Sequence, residues 1–166
     1  DTQVGPVTTR PQYEKVLSYI DIARKEGAKL MLGGGAATRP ECGKGWFVEP
    51  TVFAGVSNTM RIAQEEVFGP VLSVIKFKDE EEAVQIANDI AYGLGAGVWT
   101  QSVKRAHSMA RRIKAGTVWV NTYRAVSFLM PFGGYKASGL GRENGAEAID
   151  GYLQSKSVWI NNGAGG

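Results

Sequence analysis

The chain has 166 residues, of which 43% are hydrophobic and 21% charged, values typical of one soluble domain that buries a core. The net charge of +3 comes from 19 basic and 16 acidic residues, and the scattered basic residues argue against nucleic-acid binding. With a single cysteine, no apolar run of about 18 residues and no signal-like start, we expect a cytoplasmic protein without disulfides or membrane spans.

The first half of the chain alternates between helical and strand-like patterns. Thr9 and Gln12 can form a capping box for a helix whose apolar residues recur at helical spacing until Gly27. In the polar loop that comes later, Cys42 has no base nearby in sequence and is interpreted as a bystander thiol. The other predicted elements are strands over residues 28–32 and 47–53 and a short helical turn over residues 60–66.

The second half continues this alternation. The acids Asp79-Glu80-Glu81-Glu82 indicate one helix N-terminus, where the helix dipole favours them, and Ser102 can cap a second helix. Helical spacing predicts their buried positions: Ala83, Ile86, Ala87 and Ile90 in the first, and Val103, Ala106, Ala110 and Ile113 in the second. Strands are predicted over residues 71–77, 98–100, 117–121 and 152–160, with a short helix over residues 143–149. This pattern predicts an α/β fold with a largely parallel sheet flanked by helices. The last strand has no obvious partner, so its edge is available for intersubunit pairing.

The segment Glu65-Glu66-Val67-Phe68-Gly69-Pro70-Val71 combines two carboxylates, an aromatic ring and a Gly-Pro stop. Pro70 fixes its own φ and restricts Gly69, so the preceding helical turn should end there. A carboxylate placed two residues before a ring suits holding a sugar diol while covering a flat heterocycle. In the alternative interpretation, Glu65 and Glu66 form a solvated helix end and Phe68 belongs to the core.

Two glycine-rich segments resemble phosphate-binding loops without meeting their requirements. Residues 93–97 lie between a helix and a strand, whereas the dinucleotide fingerprint follows a strand and opens a helix. Residues 133–136 lack the spacing and the hydroxyl group of a Walker loop. Because ligands of α/β sheets bind beyond the carboxyl ends of the strands, the apolar and then glycine-rich segment 121–143 becomes the candidate ligand region. Its glycines should let the backbone pass close to another group.

Three motifs in series resemble the aldehyde dehydrogenase superfamily. They are the 65–71 segment, Gly116-Thr117-Val118-Trp119-Val120-Asn121, and Pro131-Phe132-Gly133-Gly134-Tyr135-Lys136-Ala137-Ser138-Gly139-Leu140-Gly141-Arg142-Glu143. Their order and spacing match, and the resemblance runs from Asp1 to about Ile160. It implies an oxidoreductase that uses NAD or NADP to convert an aldehyde into a carboxylate. In that chemistry a cysteine thiolate attacks the carbonyl, hydride passes to the nicotinamide, and a glutamate-activated water hydrolyses the thioester.

The resemblance also implies roles for four residues of this chain. Glu66 matches the family glutamate that hydrogen-bonds the nicotinamide ribose, and Phe68 matches the aromatic residue beside the nicotinamide. Asn121 and residues 123–132 match the wall of the substrate tunnel, with Phe132 near the acyl site. The final strand matches one that crosses to a neighbouring subunit, so a homodimer or homotetramer is expected, with no nucleic-acid or membrane partner.

Several parts of the family pattern are expected upstream of Asp1: the nucleophilic cysteine in its Gly-Gln-x-Cys context, the glutamate base and the Rossmann domain. Cys42 lacks that context, so no catalytic residue is assigned, and His107 has no partner at metal-binding spacing. We therefore expect an inactive fragment, with residues 1–150 from the catalytic domain and residues 151–166 forming the oligomerisation strand and tail. The alternatives are a non-catalytic module that self-associates through the last strand and an independent nucleotide-binding protein, which the failed fingerprints disfavour.

Overall fold

The computed structural model describes residues 4–163, so the first three residues and the end of the predicted tail at residues 164–166 lie outside it. The first predicted helix is present. Helix α1 spans Arg10–Lys25, and the Thr9 hydroxyl accepts a hydrogen bond from the Gln12 backbone amide at 3.4 Å. Val16, Ile20 and Ala23 form its buried stripe. The side chain of Gln12 does not complete a capping box, because its amide group donates to carbonyl groups 55 and 56 residues away.

Helix α1 packs in the first of two compact units, the one that ends at Asp89. Here β1 (Lys29–Leu32) pairs antiparallel with β2 (Thr51–Ala54), and β2 pairs parallel with β3 (Val71–Ser73). The core joins the stripe of α1 to Phe53 and Ile62. The unit also contains α2 (Arg61–Gln64) and α3 (Glu80–Asn88). Helix α3 begins at the predicted run of acids, and the Asp79 carboxylate caps it by accepting from the Glu82 amide at 2.9 Å.

The second unit begins at Ile90 and contains two small sheets. One pairs β4 (Tyr92–Gly93) antiparallel with β7 (Tyr135–Lys136), and the other pairs β5 (Gly95–Val98) parallel with β6 (Thr117–Val120). Helix α4 (Val103–Arg112) is capped by Ser102, and a 3-10 helix covers Ala146–Tyr152. The glycine-rich residues 93–97, predicted to lie between a helix and a strand, are themselves largely strand. Glycine is required there by close packing, since a Cβ on Gly95 would stand 2.8 Å from the Trp119 ring.

The predicted α/β class is confirmed, and the structure refines its sheet arrangement. Among residues 4–163 the strands form three small sheets with both parallel and antiparallel pairs, in place of one largely parallel sheet. The strand predicted over residues 152–160 is not formed within the described chain. Tyr152 ends the 3-10 helix, and residues 153–160 have no neighbouring strand there with which to form the hydrogen bonds of a sheet.

The buried sides of two helices differ from the predicted stripes. In α3 the buried residue is Val84, whereas Ala87 is exposed. In α4 the buried residue is Met109, and the predicted Val103 is 72% exposed. The predicted Ile113, directly after α4, is buried. Helical spacing identifies an apolar face only within about one residue, and which residue of that face is buried depends on the elements packed against the helix.

Gly69 permits the chain after α2 to pass close to α1. A Cβ on Gly69 would lie 2.6 and 2.8 Å from the two methyl groups of Val16, which is fully buried. We predict that Gly69→Ala lowers the free energy of unfolding by about 1–3 kcal/mol through overpacking, measured by urea denaturation of the 166-residue chain. Gly5→Ala is the control, because nothing lies within 4 Å of a Cβ there. Equal stability of the two variants would contradict this close packing.

Candidate functional site

Side chains of α1 hold the backbone of the loop that follows α2. The Lys15 ammonium group donates to the Glu66 carbonyl at 2.9 Å. The Gln12 side-chain amide donates to the Val67 carbonyl at 2.9 Å and to the Phe68 carbonyl at 3.1 Å. These contacts use only main-chain acceptors of residues 66–68, so the side chains of the loop are left for other partners.

Glu65 is anchored by two side chains. Its carboxylate accepts hydrogen bonds from Nε and Nη2 of Arg61, each at 2.8 Å, and another from the Tyr19 hydroxyl. The guanidinium of Arg61 and then the Tyr19 hydroxyl lower the pKa of Glu65 to about 2. The hydrogen bond to Glu65 raises the pKa of Tyr19 in turn, because donation requires the protonated phenol. Glu65 is therefore a charged structural anchor.

Glu66 is exposed and has a different environment from its neighbour. Within residues 4–163 no hydrogen bond or ion pair of its carboxylate is found, whereas its carbonyl group is held by Lys15. Glu65 does lie at the end of α2, as the alternative interpretation had it, but its carboxylate is bound by Arg61 and Tyr19 instead of being solvated alone. Of the pair, Glu66 has the carboxylate that is open to a ligand.

Phe68 points its ring outward. Phe68 is 73% exposed, so the alternative that placed it in the core is wrong. Its backbone adopts φ 56°, a left-handed conformation that is uncommon for residues other than glycine, asparagine and aspartate. Such a conformation persists when surrounding contacts enforce it, and here the bond from Gln12 to the Phe68 carbonyl does so. The loop presents a carboxylate and, two residues on, an aromatic face.

Asn121 lies in the second unit, directly after β6, and is also left-handed at φ 54°. Its Oδ1 accepts from the Thr100 amide at 2.8 Å and its Nδ2 donates to the Thr100 carbonyl at 2.9 Å. Both polar ends of the side chain are therefore used to join the chain beyond β5 to the end of β6. Asn121 can shape a wall by its position, while its amide group is already occupied.

Phe132 borders a cleft of about 730 Å³ in the second unit. Its backbone exchanges two hydrogen bonds of 2.7 Å with Glu143. Asn121 does not line this cleft, whose other lining residues include Leu94, Leu140, Arg142 and Tyr152. The structure therefore brings Glu66 and Phe68 together on one loop and places Asn121 and Phe132 at different points of the second unit.

The glycines of the segment after Pro131 do pass close to another group, as predicted, and that group is protein backbone. A Cβ on Gly116 would clash with the Gly133 carbonyl, and a Cβ on Gly133 would lie 2.6 Å from the Gly141 carbonyl. Three stretches of chain thus stack through glycine, which fixes the backbone of Phe132 without any bound group.

Sequence reasoning missed the residues that hold the loop in place: Gln12, Lys15, Tyr19 and Arg61. A signal for three of them was present in the sequence, because Gln12, Lys15 and Tyr19 recur at helical spacing and therefore share one face of α1. Only the position of α1 beside the loop shows what that face contacts.

The aldehyde dehydrogenase family pattern matches residues 1–158 of the chain. The chain belongs to the aldehyde dehydrogenase family. DhaS of Bacillus subtilis (strain 168) is 52% identical over 161 residues, which are 97% of this chain and 32% of that protein. A betaine aldehyde dehydrogenase of Brucella melitensis is 51% identical over 162 residues, 98% of this chain and 33% of the relative. The chain thus spans about a third of the length of the curated relatives it matches.

Solved structures agree with the family assignment. An indole-3-acetaldehyde dehydrogenase in complex with NAD+ superposes with a TM-score of 0.90 at 51% identity, covering 96% of this chain and 32% of that one. The NAD+ complex of an aldehyde dehydrogenase from Bacillus cereus also has a TM-score of 0.90, at 49% identity, covering 97% of this chain and 32% of that one.

Neither a membrane-spanning helix nor a metal-binding cluster is found among residues 4–163. No helix in this range is long and apolar enough to cross a membrane. No group of three or more histidine, cysteine, aspartate or glutamate side chains is placed there to hold a metal ion.

The anchor at Glu65 predicts a pH dependence of stability. The pKa of Glu65 is about 2 in the folded chain against an ordinary value of 4.5, so the unfolded chain binds the proton more tightly. The stabilisation by Arg61 and Tyr19 is therefore complete above about pH 4.5 and is lost as the pH falls towards 2. We expect the chain to be more stable than Glu65→Gln at pH 7, with the difference shrinking through that range, measured by urea denaturation at a series of pH values. A constant difference would contradict the anchor.

Proposed function

We propose that this chain forms the nicotinamide-ribose wall and part of the substrate cleft of an NAD(P)-dependent aldehyde dehydrogenase that oxidises an aldehyde to a carboxylate. The observation that carries this proposal is the open carboxylate of Glu66 beside the outward ring of Phe68, on a loop held by α1. Family membership and the NAD+ complexes of similar structures support it.

The chemistry of the loop fits a dinucleotide. A carboxylate accepts hydrogen bonds from two vicinal ribose hydroxyls, and an aromatic face covers a flat heterocycle. When bound, the nicotinamide supplies the hydride acceptor. Glu66 would hold the ribose, and Phe68 would limit where the ring lies.

The thiolate and the water-activating base are proposed to come from outside the residues of this chain. Cys42 is half-buried in the 3-10 turn Pro40–Cys42 and lies in a loop that the family pattern gives no catalytic context. Residues 1–150 are accordingly proposed as the C-terminal part of the catalytic domain, and residues 151–166 as the segment that pairs with another subunit.

The substrate side is proposed to lie along residues 121–132, with Phe132 near the acyl group and Asn121 shaping the wall. Tyr123 and Phe128 support this, since they are 62% and 78% exposed although residues 125–130 are mostly apolar. We propose no particular aldehyde, because the relatives named above act on betaine aldehyde and indole-3-acetaldehyde, which differ in charge and shape.

Self-association through the terminal segment is part of the proposal. Trp159 and Ile160 are 94% and 83% exposed, and the segment has no strand partner within the described chain. A second copy of this chain would supply that partner, which supports a homodimer or homotetramer. A purely non-catalytic assembly module would share this feature, but it would leave Glu66 and Phe68 without a role.

The central test is Glu66→Gln in the proposed full-length enzyme. Loss of a charge-assisted hydrogen bond to the ribose should weaken NAD binding by roughly 1.5–3 kcal/mol, or about 10- to 100-fold in Kd, and slow single-turnover hydride transfer. Isothermal calorimetry and stopped-flow absorbance of the reduced cofactor measure the two effects. Glu14→Gln is the control, because Glu14 is an exposed residue of α1 that pairs with Arg10. Unchanged NAD affinity and hydride rate in Glu66→Gln would refute the role of Glu66.

The 166-residue chain on its own is expected to show no aldehyde oxidation with NAD or NADP, because no residue of the chain is assigned as the thiolate. Absorbance of the reduced cofactor, followed with small aliphatic and aromatic aldehydes, tests this. Turnover that disappears in Cys42→Ser would instead assign the nucleophile to Cys42.

A further inference from the structure

We propose that Tyr19 and Gln12 are positioning residues for the cofactor: together with Glu65, they set the loop that aims Glu66 and Phe68. Neither residue is placed in contact with the cofactor; each acts through the loop. The inference rests on the proposed function of Glu66, and it concerns residues that the resemblance to the family does not assign.

The residues form an antiparallel ladder between α1 and the segment 61–68. Near the end of α1, the Glu26 carboxylate accepts from the Arg61 backbone amide at 2.9 Å. Tyr19 bonds Glu65, Lys15 bonds the Glu66 carbonyl, and Gln12 bonds the carbonyls of residues 67 and 68. As α1 advances from residue 12 to residue 26, its partners run back from 68 to 61. The spacings of three, four and seven residues keep all four side chains on one face of the helix.

The ladder determines where the two ligand-facing side chains point. Gln12 and Lys15 hold three successive carbonyl groups, at residues 66, 67 and 68, so the backbone there has little freedom to rotate. The left-handed φ of Phe68 then turns its ring outward. On the far side of Phe68 in sequence, Gly69 packs against Val16, which leaves no room for the loop to move towards α1.

The anchor at Glu65 fixes the residue immediately before Glu66. Arg61 of α2 and Tyr19 of α1 both donate hydrogen bonds to the Glu65 carboxylate, which therefore links the two helices. Two cations also lie over the Tyr19 ring, with Lys15 Nζ at 5.7 Å and the Arg61 guanidinium at 5.5 Å from its centroid. Removing the Tyr19 hydroxyl keeps the ring and these cation contacts but releases the link between α1 and Glu65.

The distinguishing experiment is a double-mutant cycle in the proposed full-length enzyme, with Tyr19→Phe, Glu66→Gln and the double variant. If Tyr19 acts by aiming Glu66, Tyr19→Phe should raise the Kd for NAD by about tenfold alone but by less than about twofold in the Glu66→Gln background. Tyr13→Phe is the matched control, since it removes the same hydroxyl from the same helix at a ring that packs on the core. It should leave the Kd unchanged in both backgrounds.

The other outcomes separate this inference from the function on which it rests. If Glu66→Gln weakens NAD binding but Tyr19→Phe has no effect, or has the same effect in both backgrounds, the positioning role is overturned and the proposed function stands. If Glu66→Gln itself leaves NAD binding unchanged, both fail. Thermal unfolding checks that Tyr19→Phe remains folded. Should it unfold, Gln12→Met replaces it in the cycle, because methionine keeps the length of the side chain but donates neither bond, and the same comparison of backgrounds decides.

Discussion

The carboxylate of Glu65 is the interaction on which the candidate cofactor site depends. It receives hydrogen bonds from Arg61, four residues earlier in the chain, and from Tyr19, on a helix 46 residues away. Because these donors keep Glu65 charged, the anchor persists across the neutral pH range. The two adjacent glutamates therefore differ in their surroundings. The carboxylate of Glu65 is hydrogen-bonded and holds the loop, whereas that of Glu66 faces outward.

Left-handed backbone recurs at two of the four residues singled out from the family resemblance. Phe68 and Asn121 adopt φ 56° and 54°, and in each case hydrogen bonds at the site hold the conformation. The Gln12 side chain donates to the carbonyl of Phe68. The side-chain amide of Asn121 bonds both the amide and the carbonyl of Thr100. Backbone in sparsely populated regions is enriched at binding sites, since it aims a side chain that regular structure would point elsewhere.

The two compact units carry different halves of the proposed chemistry. The first presents the open carboxylate of Glu66 and the ring of Phe68, which are proposed to contact the cofactor. The second contains the cleft beside Phe132, where Gly116, Gly133 and Gly141 bring three stretches of backbone close together. The large exposed side chains along residues 123–130 and at the terminal segment form apolar surface of the kind that proteins use for substrates and partners. In the proposed enzyme, the aldehyde and a second subunit cover these surfaces.

Much of the fold and the family could be read from the sequence alone, because caps and spacing act locally. Thr9, Asp79 and Ser102 begin their helices where predicted, and the alternation of elements indicates the α/β class. The three motifs in series identify the family, since the order and spacing of motifs can be read from the sequence without knowing the fold. The sequence could not distinguish Glu65 from Glu66, because adjacent identical side chains differ only in what surrounds them. The tertiary structure decided that difference by placing Tyr19 of α1 beside Glu65. It also decided which side of α3 and α4 is buried and that the strands divide among three small sheets, because burial and strand pairing depend on contacts between segments distant in sequence.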